Sequence, residues 1–210
     1  MPALIGNFKM KTLNIIKKLL ISFAIFFNLS HANSFNELLG IKDGGWGEHY
    51  NVPRVAVPGL LLTGLIMGND SRLGNTVWKS IDSMLLGGIA TEALKKTFGR
   101  VRPESSHEYE NQWFQDGNNS FPSGHVSSMS SIVSPFIYEY AEEEPLVHLL
   151  WLFPVHQALG RYNDKRHYAS DVTVGFLLGA LTGYIAHKQE TPFMLKWTDK
   201  GVYAGLEFNF

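Results

Sequence analysis

The chain has 210 residues, enough for one domain with a buried core once a leader is subtracted, so one active site is the default. Its 18 Lys and Arg stand against 19 Asp and Glu, and the resulting net charge of -1 excludes a global pull toward nucleic acid, so any anion site must be local. Cysteine is absent, which excludes disulfides, thiolate nucleophiles and cysteine-based zinc sites and leaves catalysis to oxygen and nitrogen groups.

The chain opens with Lys11, Lys17 and Lys18, the apolar run Leu19 to Phe27, and then Ser30-His31-Ala32 as a small-x-small cleavage site. This is a secretory leader over residues 1–32, tidier from Met10 than from Met1; an uncleaved membrane anchor is the alternative. Asn33 to Arg54, with Gly40, Gly44, Gly45, Gly47 and Pro53, reads as a short helix and an irregular segment. Val55 to Gly68 is apolar and uncharged, and Thr76 to Phe98 places Trp78, Ile81, Met84, Leu85, Ile89, Leu94 and Phe98 at helical spacing. Glu104 to Ser120 is polar and forms a loop. Helix resumes at Gly124 to Glu143, Pro145 interrupts it, and apolar helical stretches follow at Leu146 to Leu159 and Val172 to Ala186. Only the end alternates as a strand does, from Val202 to Phe210, and reads as one docked tail strand.

The expected fold is therefore all-α. It is a compact bundle of about six helices over residues 33–195, with an active site at helix ends and a short strand-like tail at 196–210. The apolar stretches are bounded near 15 residues, short of the ~20 that a spanning helix needs. Lys79, Asp82, Glu92, Lys95 and Lys96 interrupt one of them, and Ser127, Ser128, Ser130, Ser131 and Ser134 another. A soluble bundle is favoured over a polytopic membrane protein on these grounds. The slightly apolar balance, 45% hydrophobic against 18% charged, leaves room for a protein resting on a membrane.

Three distant segments carry residue types suited to holding and cleaving a phosphate. Lys95 and Arg102 are seven apart, so on a continuing helix they share a face, and with Arg161 they supply the cations one dianion needs. Pro122-Ser123-Gly124 opens a helix whose unpaired N–H groups favour an anion; Ser123 can also serve as an N-cap, and His125 sits in the first turn. His167 and Asp171 are four apart, which on a helix puts the carboxylate beside one imidazole nitrogen and leaves the other as an outward lone pair. Asp171, Gly175, Gly179 and Gly183 form a small-residue stripe on that face, pointing it inward at close range to a neighbour. Each segment alone has a bland reading: a basic helix end, an N-cap, a surface pair.

Together they resemble the signature of the type 2 phosphatidic acid phosphatase family, which includes bacterial class A acid phosphatases and vanadium haloperoxidases. The resemblance rests on Lys95 with Arg102-Pro103, on Pro122-Ser123-Gly124-His125, and on Arg161, His167 and Asp171, with every internal spacing kept. It covers about Leu85 to Ala186. The departure is Gly160, where the family usually has Ser, which touches fine tuning and not the chemistry.

The resemblance implies a phosphoric ester hydrolase that works through a phosphohistidine on His167, and the leader pattern makes it an exported one. Asp171 would orient that histidine, and His125 would protonate the leaving oxygen and then activate water. Lys95, Arg102, Arg161, Ser123 and Gly124 would hold the phosphoryl oxygens. No metal or cofactor is implied, though phosphate or vanadate could occupy the site, and a vanadium haloperoxidase is the alternative activity. The partner is a phosphate-ester substrate, lipid phosphates included, with no nucleic acid. The expected location is periplasmic, with an integral membrane protein whose site faces the periplasm as the alternative. His148 and His156 read as core histidines, His49 and His187 as surface residues, and the loop carrying His107, Glu108, Tyr109, Trp113 and Phe114 as a pocket mouth.

Overall fold

A computed structural model describes residues 52–68, 71–103, 111–117, 119–190, 192, 194–198 and 201–205. The leader over 1–32, the helix expected within 33–54, His49, His107 and the end of the tail strand lie outside the described residues.

Among the described residues five α-helices follow in chain order: α1 Val52–Met67, α2 Arg72–Phe98, α3 Gly124–Tyr140, α4 Leu152–Asn163 and α5 Ala169–Lys188, with a 3-10 helix at Pro145–Trp151 between α3 and α4. The all-helical expectation holds for the body. The tail differs in detail: Leu195–Thr198 and Gly201–Ala204 pair antiparallel as a hairpin, β1 and β2, in place of a single strand. One buried carboxylate docks it, since Asp82 Oδ2 on α2 accepts the Met194 N–H at 2.9 Å.

Helix α2 begins where Ser71 caps the Gly74 N–H at 3.0 Å. It stops at Gly99, whose φ of +44° lets its N–H return to the Lys95 carbonyl. A Cβ there would meet the Gln115 carbonyl oxygen at 2.5 Å, so the loop after residue 111 can lie against this turn only because position 99 is glycine.

The center of the molecule is the packing of α5 on α3. Built Cβ atoms on Gly175 and Gly179 would strike the carbonyl oxygens of Ser123 and Ser127, and one on Gly183 would strike the Ser134 hydroxyl. The glycine stripe therefore sets the helices backbone to backbone. Between α2, α3 and α5 runs a seam of buried hydroxyls: Ser131 Oγ meets Thr182 Oγ1 at 3.0 Å, Thr91 meets Ser127 at 3.1 Å, and Ser130 donates to the Phe176 carbonyl at 2.8 Å. The serines counted as signs of a solvated helix thus face inward as interhelical donors. Below the seam lies the apolar core, with Trp78 and Ile81 of α2 against Met129, Ile132, Val133, Phe136 and Ile137 of α3.

The outer surface bears on the choice between a soluble bundle and a membrane protein. Leu146, Leu149, Leu152, Val155 and Leu159 recur every three or four residues along the 3-10 helix and α4, and all are exposed. Leu177, Leu181 and Tyr184 do the same on α5, and Leu62, Leu65 and Ile66 on α1; Leu177 is 59% and Leu152 61% exposed. Contiguous apolar surface of this kind marks contact with lipid or protein. Among the described residues, α5 is one helix long and apolar enough to cross a membrane.

The 3-10 helix also corrects His148. Three residues per turn send Val147 and Leu150 inward and His148 outward, so it is exposed and not a core histidine. His156 is half-buried on α4. His187 is half-buried as well, its Nδ1 3.5 Å from Glu139 Oε2, and not a free surface residue.

Candidate active site

The C-terminal end of α2 and the N-terminal ends of α3 and α5 meet at one pole of the bundle, where all the singled-out residues gather. Gly124 lies against Lys95, whose Nζ would be 3.5 Å from a Cβ built on the glycine. His125 stands within electrostatic reach of Arg161, His167, Lys95 and Arg102. The Ser123 N–H donates to the Asp171 carbonyl at 2.9 Å, joining the start of α3 to the first turn of α5. Arg161, in the last turn of α4, is buried, and its carbonyl accepts the His167 N–H at 3.3 Å. Gly160 beside it is buried in α4.

The Lys95–Arg102 pair forms by a different route than expected. The helix does not continue to Arg102, because Gly99 ends it and the chain turns extended, with the Val101 N–H donating to the Gln112 carbonyl at 2.9 Å. Arg102 returns to the neighborhood of Lys95 through that paired segment. Its Nε and Nη2 both donate to Asn119 Oδ1, at 3.1 and 2.9 Å, which fixes the guanidinium plane. A cleft of ≈ 490 Å³ opens beside Lys95, lined by Lys96, Gln115, Asp116 and Asn119 among others.

Ser123 occupies the N-cap position of α3 without capping it by its side chain. Its hydroxyl is buried and has no hydrogen-bond partner among the described residues. A native structure rarely leaves such a group orphaned, because desolvation without a partner costs ~1–3 kcal/mol. Here it stands at a helix N-terminus, where unpaired N–H groups and the positive dipole end already favor an anion. The residues present therefore fit a phosphoryl group, or its mimic vanadate.

The His167–Asp171 pair also departs from the spacing argument. Helix α5 starts at Ala169, so His167 lies before it, and its Nδ1 is 3.7 Å from Asp171 Oδ2, beyond a hydrogen bond. Nδ1 instead meets the Ser120 carbonyl at 2.7 Å. A carbonyl only accepts, so Nδ1 carries the proton and Nε2 keeps its lone pair in the neutral ring. Burial pushes the His167 imidazole below its ordinary pKa, helped by Arg102 and opposed by Asp171, so the ring is neutral at neutral pH.

Asp171 has its own partners. Oδ2 accepts from Ser120 Oγ at 2.5 Å and from the Tyr168 N–H at 3.0 Å, and Oδ1 is paired with Arg100 Nη1. Arg100 and Ser120 are the residues that the spacing argument passed over. Arg100 sits among other basic residues at a helix end, and Ser120 closes a polar loop, so neither stands out along the chain.

A family model described as the PAP2 superfamily matches residues 76–194. Among curated proteins, the chain is 30% identical over 121 residues to a lipid A 1-phosphatase of Porphyromonas gingivalis, an alignment covering 57% of this chain and 25% of that protein. It is 26% identical over 188 residues to a probable diacylglycerol pyrophosphate phosphatase of Schizosaccharomyces pombe, covering 66% of this chain and 62% of that one. The chain thus spans about a quarter of the first relative and about three-fifths of the second. Two crystal structures share the fold. LpxE of Aquifex aeolicus superposes with a TM-score of 0.52 at 22% identity, over 79% of this chain and 94% of that one. A transmembrane PAP2-type phosphatidylglycerolphosphate phosphatase of Bacillus subtilis gives 0.51 at 19% identity, over 80% and 92%.

Proposed function

Because the chain belongs to the PAP2 superfamily, we propose that it is a phosphatase that removes phosphate from lipid phosphate esters through a covalent phosphohistidine on His167, without a metal ion. The observation that carries this reading is the buried Ser123 hydroxyl at the start of α3, without a hydrogen-bond partner among the described residues and two residues before His125, which lies within electrostatic reach of Arg161, His167, Lys95 and Arg102.

In the first step the Nε2 lone pair of His167 attacks phosphorus in line with the leaving oxygen. The N–P bond forms as the P–O bond breaks, and His125, which burial and the surrounding cations hold at a pKa of about 3 without phosphate, takes up a proton together with the phosphate dianion and gives it to the departing alkoxide. In the second step His125 takes a proton from water, the hydroxide displaces His167 from phosphorus, and inorganic phosphate leaves. Lys95, Arg102, Arg161, the Ser123 hydroxyl and the N–H groups at the start of α3 stabilize the charge on the equatorial oxygens, the task that metal ions perform in other phosphoryl-transfer sites. The Ser120 carbonyl holds the imidazole in the attacking tautomer.

Two features support lipid substrates: the phosphatases of lipid phosphates among the relatives, and the apolar flank of α4 and α5, which fits a protein embedded in a bilayer with its catalytic pole at the interface. The periplasmic face is the reading of the leader pattern. For the full chain in detergent, hydrolysis of phosphatidic acid should exceed that of p-nitrophenyl phosphate in kcat/KM and should persist in chelator. Radiolabelled substrate should leave acid-labile, base-stable phosphate on the wild type and none on His167→Ala. Turnover abolished by chelator, or full turnover by His167→Ala, would overturn the mechanism.

A further inference from the structure

Arg100 is buried two residues before Arg102, with its guanidinium committed to protein partners. Its Nη1 pairs with Asp171 Oδ1 and donates to Ser170 Oγ at 2.7 Å, and its Nη2 donates to Asn111 Oδ1 at 2.5 Å. Its guanidinium lies over the rings of Tyr168, 3.8 Å from the centroid, and Trp113, 4.4 Å away. Its own carbonyl accepts the Ser120 N–H at 3.0 Å. A closed circuit results. The Arg100 backbone holds Ser120 from one side, its side chain holds Asp171, and Asp171 Oδ2 accepts the Ser120 hydroxyl from the other side. The Ser120 carbonyl at the center of that circuit receives the His167 ring N–H.

We propose that Arg100 is a positioning residue of the phosphatase site, a flat clamp that fixes Asp171 and Ser120 so that Nε2 of His167 points at phosphorus. The proposal rests on the reading of His167 as nucleophile. A buried ion pair is weak evidence for stability, since apolar residues of similar volume often serve as well, so the geometry of the pair is the property that needs explaining. Lysine cannot reproduce it, because a point charge neither forks nor stacks.

The charged and titratable groups around His167 are Asp171 from α5, Arg102 from the segment after α2 and His125 from α3, with Arg161 of α4 acting on His125. Removing Arg100 releases the carboxylate that now stands 3.7 Å from Nδ1 and leaves its charge unpaired, while the other three stay in place. The imidazolium is then favored, and the ring protonates at higher pH.

Wild type, Arg100→Gln and Arg100→Lys are compared as full chains in detergent, with helicity checked by circular dichroism and phosphatidic acid as substrate. The wild-type acid limb of kcat/KM is expected below pH 6.5. Arg100→Gln should lose about a hundredfold in kcat, the scale of an ångström of misplacement, with KM changed by no more than a few fold. Its acid limb should move up in pH, and Arg100→Lys should not restore kcat. Should Arg100→Gln fail to fold, Trp113→Leu, which frees one face of the guanidinium, should give smaller changes of the same sign. An unmoved acid limb in the folded variants, or a wild-type rate in Arg100→Lys, would overturn the proposal. A wild type without turnover, or an active His167→Ala, would instead overturn the reading of the site.

Discussion

The Ser123 hydroxyl is a group whose removal should help the fold and harm the chemistry. Ser123→Ala deletes a buried donor that has no hydrogen-bond partner among the described residues, so its thermal midpoint should stay level or rise slightly. With phosphate or vanadate bound the same atom becomes a donor in a desolvated site, and its loss should weaken competitive inhibition by vanadate about tenfold, the worth of one hydrogen bond to a charged group. Thermal melts and inhibition constants on one preparation check both halves. A destabilized variant with unchanged inhibition would make Ser123 an ordinary cap. Residues such as this were legible because their chemistry is local in the chain: Pro122 to His125 are adjacent, and Arg161, His167 and Asp171 fall within eleven residues. Arg100 was not, since its carboxylate partner is 71 residues away and its neighbors Lys96 and Arg102 are also basic. Ser120 escaped notice because its carbonyl, which every residue possesses, does the work.

At the scale of the element, the glycine stripe of α5 sets the distance on which the site depends. Gly179→Ala would press a methyl group on the Ser127 carbonyl, the Ser130 Cβ at 2.6 Å and the Ser131 N–H at 2.7 Å, all on α3 and mostly backbone, which cannot rotate away. Overpacking of this kind costs ~1–3 kcal/mol and should lower kcat as well, because separating the helices strains the Ser123 N–H bond to the Asp171 carbonyl. Gly88→Ala on α2, where a Cβ meets nothing within 4 Å, is the matched control and should be neutral or gain up to ~1 kcal/mol in helix propensity. Equal melting temperatures for the two variants would contradict the close-packing account. The stripe itself could be read from its four-residue spacing. The end of α2 at Gly99 was harder to place, because the basic pattern runs on through Arg100 and Arg102, and only the approach of Gln115 makes the left-handed turn worth forming.

For the whole molecule the question is which solvent the bundle faces. Length and charge along the chain argued for water, since the apolar stretches are short and carry serines, Lys79 and Asp82. The folded protein disposes of those groups internally: the serines bridge helices, the Lys79 ammonium donates to the His187 carbonyl at 3.3 Å, and Asp82 takes the Met194 N–H. Periodicity cannot reveal such pairing, because it depends on residues about fifty to a hundred positions apart. Leu62, Leu65, Leu152, Leu159, Leu177 and Leu181 stand exposed on α1, α4 and α5. On the proposed reading of a bilayer-embedded protein that surface faces lipid, so the protein should stay in the membrane pellet through alkaline carbonate extraction. The cysteine-free sequence allows a direct test of which side the catalytic pole faces. Asp116→Cys lies exposed beside the cleft next to Lys95 and should react with a membrane-impermeant maleimide added to intact spheroplasts of a bacterial host. Labelling only after lysis would turn the site toward the cytoplasm, and release by carbonate would return the apolar flank to a protein partner.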